Sequence, residues 1–196
     1  MRTPSFYRYF LASRPDPALR AKLVGLRAAT GQVRSLVAAE QLHLTWCVLA
    51  EPEQRDRFVV PRVEAALNDA VLASGLLWLG RVRGGTGGAA VYSRGRKPEI
   101  MALYRELATR LAARGLHAMH RKSGFHPHLT LGHDACAFAP FLVLYEWIPD
   151  EVLLIESEVG NGVHNILGRW PLLPPRQGLL PFDRSVPLAP LRATGG

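Results

Sequence analysis

The chain has 196 residues, of which 48% are hydrophobic and 20% charged, and its formal net charge is +8. This composition predicts a globular protein with one sizeable core and excludes a disordered chain. No apolar run approaches the roughly 20 residues of a membrane-spanning helix, and two cysteines, Cys47 and Cys136, are too few for a disulfide scaffold. Because residues 1–16 also lack the apolar region of a signal peptide, we expect a cytoplasmic protein with no membrane partner.

Strands and helices are mixed along the chain. Asp16 followed by Pro17 is typical of a helix start, and apolar residues at helical spacing come after it. The cluster GGTGG at 84–88 lacks the Lys-Ser/Thr ending of a phosphate loop, so it predicts a hairpin connection. The predicted elements are, in order, strand 7–12, a helix from 17 to a stop at Gly31, strands 33–37 and 43–50, a helix over 61–73, strands 76–82 and 89–93, a helix from Pro98 to Gly115, and strands 128–132, 141–147, 152–159 and 164–170.

The order of these elements defines the fold class. They do not alternate as regular βαβ units, which favours an α+β fold with mainly antiparallel sheet. Residues 173–196 are rich in proline and are expected to form a C-terminal tail, partly packed through Leu179, Leu180 and Phe182. The three helices are expected to bury Leu19, Leu23 and Leu26, then Val63, Leu67 and Val71, then Ile100, Leu103, Leu107 and Leu111.

One pattern occurs twice, as HLTW at 43–46 and as HLTL at 128–131. Successive side chains of a strand point to opposite faces. In the second copy, His128 and Thr130 therefore share one face, and Gly132 follows on that face and leaves room for a ligand. The first copy divides in the same way, with one face predicted to hold His43, Thr45 and Cys47 and the other to hold Leu44, Trp46 and Val48.

Two imidazoles and two hydroxyls suit the opening of a cyclic phosphodiester. The reaction takes a proton from the attacking water and gives one to the departing ribose oxygen. Imidazole titrates near neutral pH, so His43 and His128 are the candidate acid and base, and kcat/KM is expected to be bell-shaped with limbs near neutrality. The hydroxyls of Thr45 and Thr130 donate to phosphoryl oxygens without adding repulsive charge. No metal and no cofactor is required.

A single HxT strand is weak evidence, because one histidine often completes a core or edge hydrogen bond. Two copies in like strand settings, at positions 43 and 128, are much harder to explain by packing. The repeat therefore favours a functional interpretation.

The two motifs resemble the paired HxTx motifs of the two-histidine (2H) phosphoesterase superfamily. The segments YRYFLASRPDPALRAKL, AEQLHLTWCVLAEPE, FHPHLTLG and SEVGNGVHNILGRWPL are similar to bacterial LigT-like RNA 2′,3′-cyclic phosphodiesterases, also called 2′-5′ RNA ligases. This resemblance implies one bilobal, pseudo-twofold domain over 1–172, with antiparallel sheets, flanking helices and a central cleft to which each lobe brings one HxTx strand. It also implies His43 as proton donor, His128 as proton acceptor, and a 2′-phosphomonoester product.

The chain departs from these relatives in two places. Many of them carry an arginine shortly after the second motif, where this chain has Gly132-His133. The connection 134–140 is also too short for the helix that is often found there. Substrate contacts in this lobe are therefore expected to differ.

Further substrate contacts are predicted from charge and aromaticity. An arginine-rich chain suits a polyanion such as RNA, because arginine offers a planar fork to phosphate. Arg94 and Arg96 follow the glycine hairpin and are candidate contacts to the RNA backbone, although a solvated basic loop fits the same pattern. Phe125 is the candidate for stacking a base. Cys47 has no evident base partner and is assigned to packing.

Histidines around the second motif raise the question of zinc. Their spacing fits no compact ligand set, and no cysteine or carboxylate pattern completes a site. We therefore predict no metal, and expect the flanking pair His126 and His133 at the mouth of the cleft. The four histidines concerned are His117, His120, His126 and His133.

The predicted substrate is RNA with a 2′,3′-cyclic phosphate end, or a cyclic nucleotide, bound by a monomer. Three other functions are compatible with the sequence: reversible 2′-5′ RNA ligation by the same histidines, RNA binding without catalysis, and hydrolysis of small cyclic nucleotides. Intact HxT motifs argue against a pure binding module, and the net charge of +8 favours longer RNA.

Overall fold

The strands that the structure describes form one antiparallel sheet. The computed structural model describes residues 5–30, 35–119, 124–134 and 137–175. Within this part of the chain the sheet has eight strands in the order β6-β3-β4-β5-β2-β1-β7-β8. The strands are β1 (Phe6–Ser13), β2 (Leu44–Ala50), β3 (Leu77–Arg83), β4 (Ala89–Arg94), β5 (His128–Gly132), β6 (Phe141–Trp147), β7 (Glu151–Val159) and β8 (Val163–Pro171).

The sheet consists of two halves of four strands each. The first half is β2-β1-β7-β8 and the second half is β6-β3-β4-β5. Inside each half the strands pair over several residues, whereas β2 and β5 join the halves through the single pair Leu44 and Leu129. The two predicted lobes are therefore halves of one sheet, and the two HxT strands lie side by side at its centre.

Helices cover one face of this sheet. Asp16 caps the first helix, since its carboxylate accepts a hydrogen bond from the backbone N–H of Leu19 at 2.8 Å. Apolar residues of all three helices pack in one buried cluster with Leu44, Leu129 and Leu131 of the central strands. The HxT histidines and threonines alternate with these leucines and so lie on the opposite face. The helices are α1 (Pro17–Thr30), α2 (Val59–Leu67) and α3 (Pro98–Ala112).

The α+β class and the antiparallel sheet are confirmed. Val71 is a wrong prediction: α2 ends at Leu67, so Val71 no longer follows the helical face and is 78% exposed, while Leu72 enters the core. The predicted strand over 33–37 is also wrong in its described part, which shows only an isolated bridge from Leu36 to Gly132. None of the described helices is both long and apolar enough to cross a bilayer.

Several predicted features lie outside the described residues: the helix stop at Gly31, the side chains of His120 and Cys136, and the tail contacts of Leu179, Leu180 and Phe182. The tail begins at residue 173, and its first residue, Leu173, forms a parallel bridge with Ala73.

The glycine cluster has a second role beyond the β3–β4 turn. Gly88 has φ +106°, and a Cβ atom there would lie 1.9 Å from the carbonyl oxygen of Gly132. Only glycine allows this approach. The hairpin is therefore packed directly against the end of the second HxT strand.

Candidate active site

The register at the centre of the sheet relates the two motifs by symmetry. Leu44 pairs with Leu129 in antiparallel orientation, and such a pair has a local twofold axis through its midpoint. The axis exchanges His43 with His128 and Thr45 with Thr130. In a regular ladder diagonal neighbours of this kind lie about 7–8 Å apart. The structure thus brings the four predicted residues together on the face that the helices leave open.

Both histidines are anchored in the same way. His43 Nδ1 lies 2.5 Å from the carbonyl oxygen of Gln41, and His128 Nδ1 lies 2.7 Å from the carbonyl oxygen of His126. A carbonyl only accepts, so Nδ1 carries the proton in each ring and the neutral imidazole presents an unprotonated Nε2. Each neutral ring is therefore held in the tautomer in which Nε2 can accept a proton, and the protonated ring can deliver that proton from Nε2.

The threonine hydroxyls are available as donors. Thr45 and Thr130 are both half-buried, and neither hydroxyl makes a hydrogen bond within the described part of the structure. Ala12 pairs with Thr45 and Ala90 pairs with Thr130. A small residue therefore stands beside each threonine and leaves space above it.

His43 is half-buried and lies in a basic environment. Its ring centroid is 5.0 Å from that of Phe10 and 5.5 Å from that of His164, and the latter pair is T-shaped. Burial lowers the pKa of His43 to about 4, with further contributions from His164, Arg14 and His133. The free protein therefore holds His43 neutral at pH 7, and the limbs of the pH profile are not both expected near neutrality.

The first half of the sheet curls, and this curvature brings the ring of His164 into contact with that of His43. His164 lies on the outer strand β8, three strands from β2, yet its ring contacts those of His43 and Phe10. Burial, Arg14 and His133 lower the pKa of His164 to about 4. Phe10 belongs to a buried apolar cluster on this face, together with Ala12, Leu153 and Ile155.

His128 lies in an aromatic and more open environment. Tyr92 pairs with His128 in register and stacks on its ring, with centroids 5.4 Å apart and an interplanar angle of 21°. The guanidinium of Arg83 lies over the Tyr92 ring at 4.1 Å. This column orients His128 without burying it.

Among the described residues, no contact places Phe125 beside His43 or His128. Phe125 stacks on Tyr104 of α3, with centroids 4.2 Å apart, and lies 5.7 Å from the ring of Trp46. Both contacts belong to the helix side of the sheet. These contacts favour a packing role, because one face of the ring is already covered.

Arg94 and Arg96 occupy different surroundings. Both are exposed. Arg94 ends β4 two residues after Tyr92 and so lies on the HxT face, where its side chain crosses Gly80. Arg96 lines a pocket of about 420 Å³ with Lys97, Phe125, His126 and neighbouring residues of the α3 start. Arg94 is thus the one that shares a face with His128.

The predicted face of Cys47 is wrong, because β2 contains a bulge before this residue. Leu11 pairs with Cys47 and Ala12 with Thr45, so Trp46 is an extra residue in β2. Cys47 consequently joins the main core instead of the face of His43, and Val48 packs on the opposite cluster with Phe10. Burial raises the pKa of Cys47 to about 12, which leaves a neutral thiol in a packing role.

Among the described residues, no three His, Cys, Asp or Glu side chains are grouped to hold a metal ion.

Sequence reasoning missed Arg14, Tyr92 and His164 as neighbours of the motif histidines. Of these three residues, only Tyr92 could have been predicted from the sequence. A hairpin that lies next to β5 places one of its residues opposite His128.

Solved structures with the same fold include a phosphoesterase and E. coli LigT. A crystal structure of a phosphoesterase matches with a TM-score of 0.68 at 24% identity, over 87% of this chain and 99% of that chain. E. coli LigT complexed with 3′-AMP matches with a TM-score of 0.68 at 23% identity, over 85% and 98%. TT0787 of Thermus thermophilus matches with 0.65 at 22% identity, over 84% and 97%. No protein-family model matches the sequence, and no curated protein does.

The chain therefore has the fold of LigT and of these other solved structures, as the resemblance of the paired HxT motifs implies. The similarity includes nearly the whole length of each of these chains, so both halves of the sheet are shared.

Proposed function

We propose that the protein is a LigT-like 2H phosphoesterase that hydrolyses 2′,3′-cyclic phosphate ends of RNA to 2′-phosphomonoesters without a metal ion. One observation carries the proposal: the Leu44–Leu129 pair places two HxT motifs on one face with local twofold symmetry. A packing role for the histidines requires no such symmetry. The crystal structures of LigT with 3′-AMP, ATP, phosphate and NADP⁺ support a phosphate-containing ligand for this fold.

In this mechanism the scissile phosphate lies between the two motifs. Nε2 of His128 accepts a proton from a water molecule as its oxygen attacks phosphorus. The bond from phosphorus to the ribose 3′ oxygen breaks, and the proton on Nε2 of His43 passes to that oxygen. The hydroxyls of Thr45 and Thr130 donate to the non-bridging oxygens, where negative charge develops.

The half-buried, basic environment of His43 adds a condition to this scheme. Its pKa of about 4 means that the free protein rarely holds the required proton at pH 7. A bound phosphate brings negative charge next to the imidazole and raises its pKa. We therefore propose that substrate binding and protonation of His43 are coupled.

The test is an assay of the purified protein, with EDTA present, on an oligonucleotide that ends in a 2′,3′-cyclic phosphate. We expect a 2′-phosphomonoester as product and an acidic limb of kcat/KM near pH 4, whichever histidine acts as the base. Adding an oligonucleotide with a 5′-hydroxyl tests ligation in the same tube. Joined product in place of hydrolysis identifies a ligase, and loss of all activity in EDTA that Zn²⁺ or Mn²⁺ restores overturns the metal-free mechanism.

A further inference from the structure

Two buried polar atoms near His43 lack a partner. Nε of Arg14 and Nδ1 of His164 are both inaccessible to solvent and make no hydrogen bond to any described residue. Buried polar atoms are nearly always satisfied in folded proteins, because an unpaired one loses its hydration without compensation. Two such atoms on one side of His43 indicate a place where a ligand supplies the acceptors.

The register of the sheet sets Arg14 beside His43. Ser13 pairs with Leu44, so the next position of the antiparallel ladder places Arg14 opposite His43. The side chain of Ser13 accepts a hydrogen bond from the Trp46 indole on the core side, so Arg14 alternates to the HxT face. In the other half, the same position opposite His128 belongs to Tyr92. The local twofold axis therefore relates the guanidinium of Arg14 in the first half to the aromatic ring of Tyr92 in the second half.

The groups around this point are mainly cationic. Arg14 and His133 both act electrostatically on His43 and on His164. Burial, then Arg169 and Arg20, lower the pKa of Arg14, and Glu151 and Glu40 act in the opposite direction. Glu151 already accepts hydrogen bonds at 2.8 and 2.9 Å from Arg169. The positive charge here thus exceeds the negative charge.

We propose that Arg14 and His164 form a phosphate-binding subsite beside His43, which takes a phosphate group of the nucleotide substrate. The Nε–H of Arg14 and the ring N–H of His164 donate to its oxygens, and these charge-assisted bonds are stronger than neutral ones. The subsite rests on the proposed function in its choice of substrate. Its chemistry fits the scissile cyclic phosphate or the 5′-phosphate of the same terminal nucleotide, and kinetics distinguish these sources.

Binding of inorganic phosphate tests the subsite without any catalysis. Histidine ring signals of the full chain are followed by NMR as phosphate is added, for wild type, Arg14→Gln and Arg105→Gln. Arg105 is exposed on α3, on the helix side of the sheet, and controls for loss of one charge. We expect phosphate to raise the pKa of His43 and His164, and Arg14→Gln to weaken phosphate roughly tenfold or more. Unchanged phosphate affinity in folded Arg14→Gln overturns the proposal.

Kinetics then identify the phosphate that is bound. Arg14→Gln, Arg14→Lys and His164→Asn are compared on adenosine 2′,3′-cyclic phosphate with and without a 5′-phosphate. A higher KM on both nucleotides assigns the subsite to the scissile phosphate, and a higher KM on the 5′-phosphorylated one alone assigns it to the 5′-phosphate. Arg14→Lys should restore part of the loss, since it keeps the charge. An unchanged KM on both nucleotides, with normal folding, refutes the subsite. Absence of turnover in wild type would refute the proposed function instead, while the NMR titration still decides on the subsite.

Discussion

The two halves of the sheet carry the same motif in different surroundings. Around His43 the first half of the sheet is curled. The His43 ring contacts those of Phe10 and His164, next to a buried apolar cluster. Around His128 the second half is open, and Tyr92 orients the ring. Its HxT face is exposed at Arg81, Arg83, Arg94, Leu142 and Leu144.

This comparison separates what the motif supplies from what its surroundings supply. The twofold pair of Nδ1 anchors gives each half a histidine able to transfer a proton at Nε2. The surroundings make the halves unequal, because burial and positive charge lower the pKa of His43 to about 4. We therefore expect symmetric effects on the chemical step and asymmetric effects on stability and on substrate binding.

The largest expected effect is on the chemical step. His43→Ala and His128→Ala should each lower kcat by ~10²–10⁴, equivalent to about 3–5 kcal/mol of barrier, because each removes one proton transfer. The double variant should be little worse than either single variant if the pair acts in one step. Steady-state kinetics with thermal melting of each variant is the measurement.

Threonine variants are the matched control for these histidines. Thr45→Val and Thr130→Val keep the branched shape and remove one hydroxyl each, and should cost less, roughly 10–100-fold by analogy with a lost oxyanion donor. Full activity of a well-folded His128→Ala protein would end the two-histidine mechanism in both halves.

A smaller effect concerns stability against pH in the first half alone. His43 and His164 have pKa values near 4 when folded, below the usual 6.5, so the unfolded chain binds protons more readily. Their contribution to stability is complete above pH 6.5 and is lost as the pH falls toward 4. His43→Asn and His164→Asn should therefore flatten the loss of unfolding free energy between pH 7 and pH 4.5, measured in urea.

Thr45→Val tests whether titration causes this effect. It alters the same face of the first half but removes no titratable group, so its pH dependence should match that of wild type. If the unfolding free energy of both histidine variants falls with pH as steeply as that of wild type, this result would contradict the neutral state of these rings in the folded protein.

The smallest expected effect concerns the open half. If its basic face follows an RNA backbone, Arg94→Ala with Arg96→Ala should weaken binding of long RNA more than of a cyclic mononucleotide. The slope of log affinity against log salt should fall by about 0.7 for each phosphate that the variant no longer neutralises. Arg105→Ala with Arg114→Ala removes the same charge elsewhere and should leave the slope unchanged. Equal losses on both substrates would place these arginines at the scissile phosphate or outside the site.

Sequence alone predicted the features that depend on local periodicity. Strand alternation is a property of the backbone, so it placed His128 and Thr130 on one face and Leu129 in the core correctly. The cap at Asp16 and the buried face of α3 follow from local chemistry and helical spacing in the same way. The mixed order of strands and helices predicted the α+β class, and the resemblance of the paired motifs and their flanking segments implied the fold that this chain shares with LigT.

Tertiary structure decided the features that depend on distant parts of the chain. The bulge at Trp46 is imposed by pairing with β1, so alternation within β2 could not foresee that Cys47 enters the core. The meeting of His43 with His164 depends on the curvature of four strands, which no local pattern records. The low pKa of His43 follows from that meeting, because burial and neighbouring charge exist only when these strands are assembled.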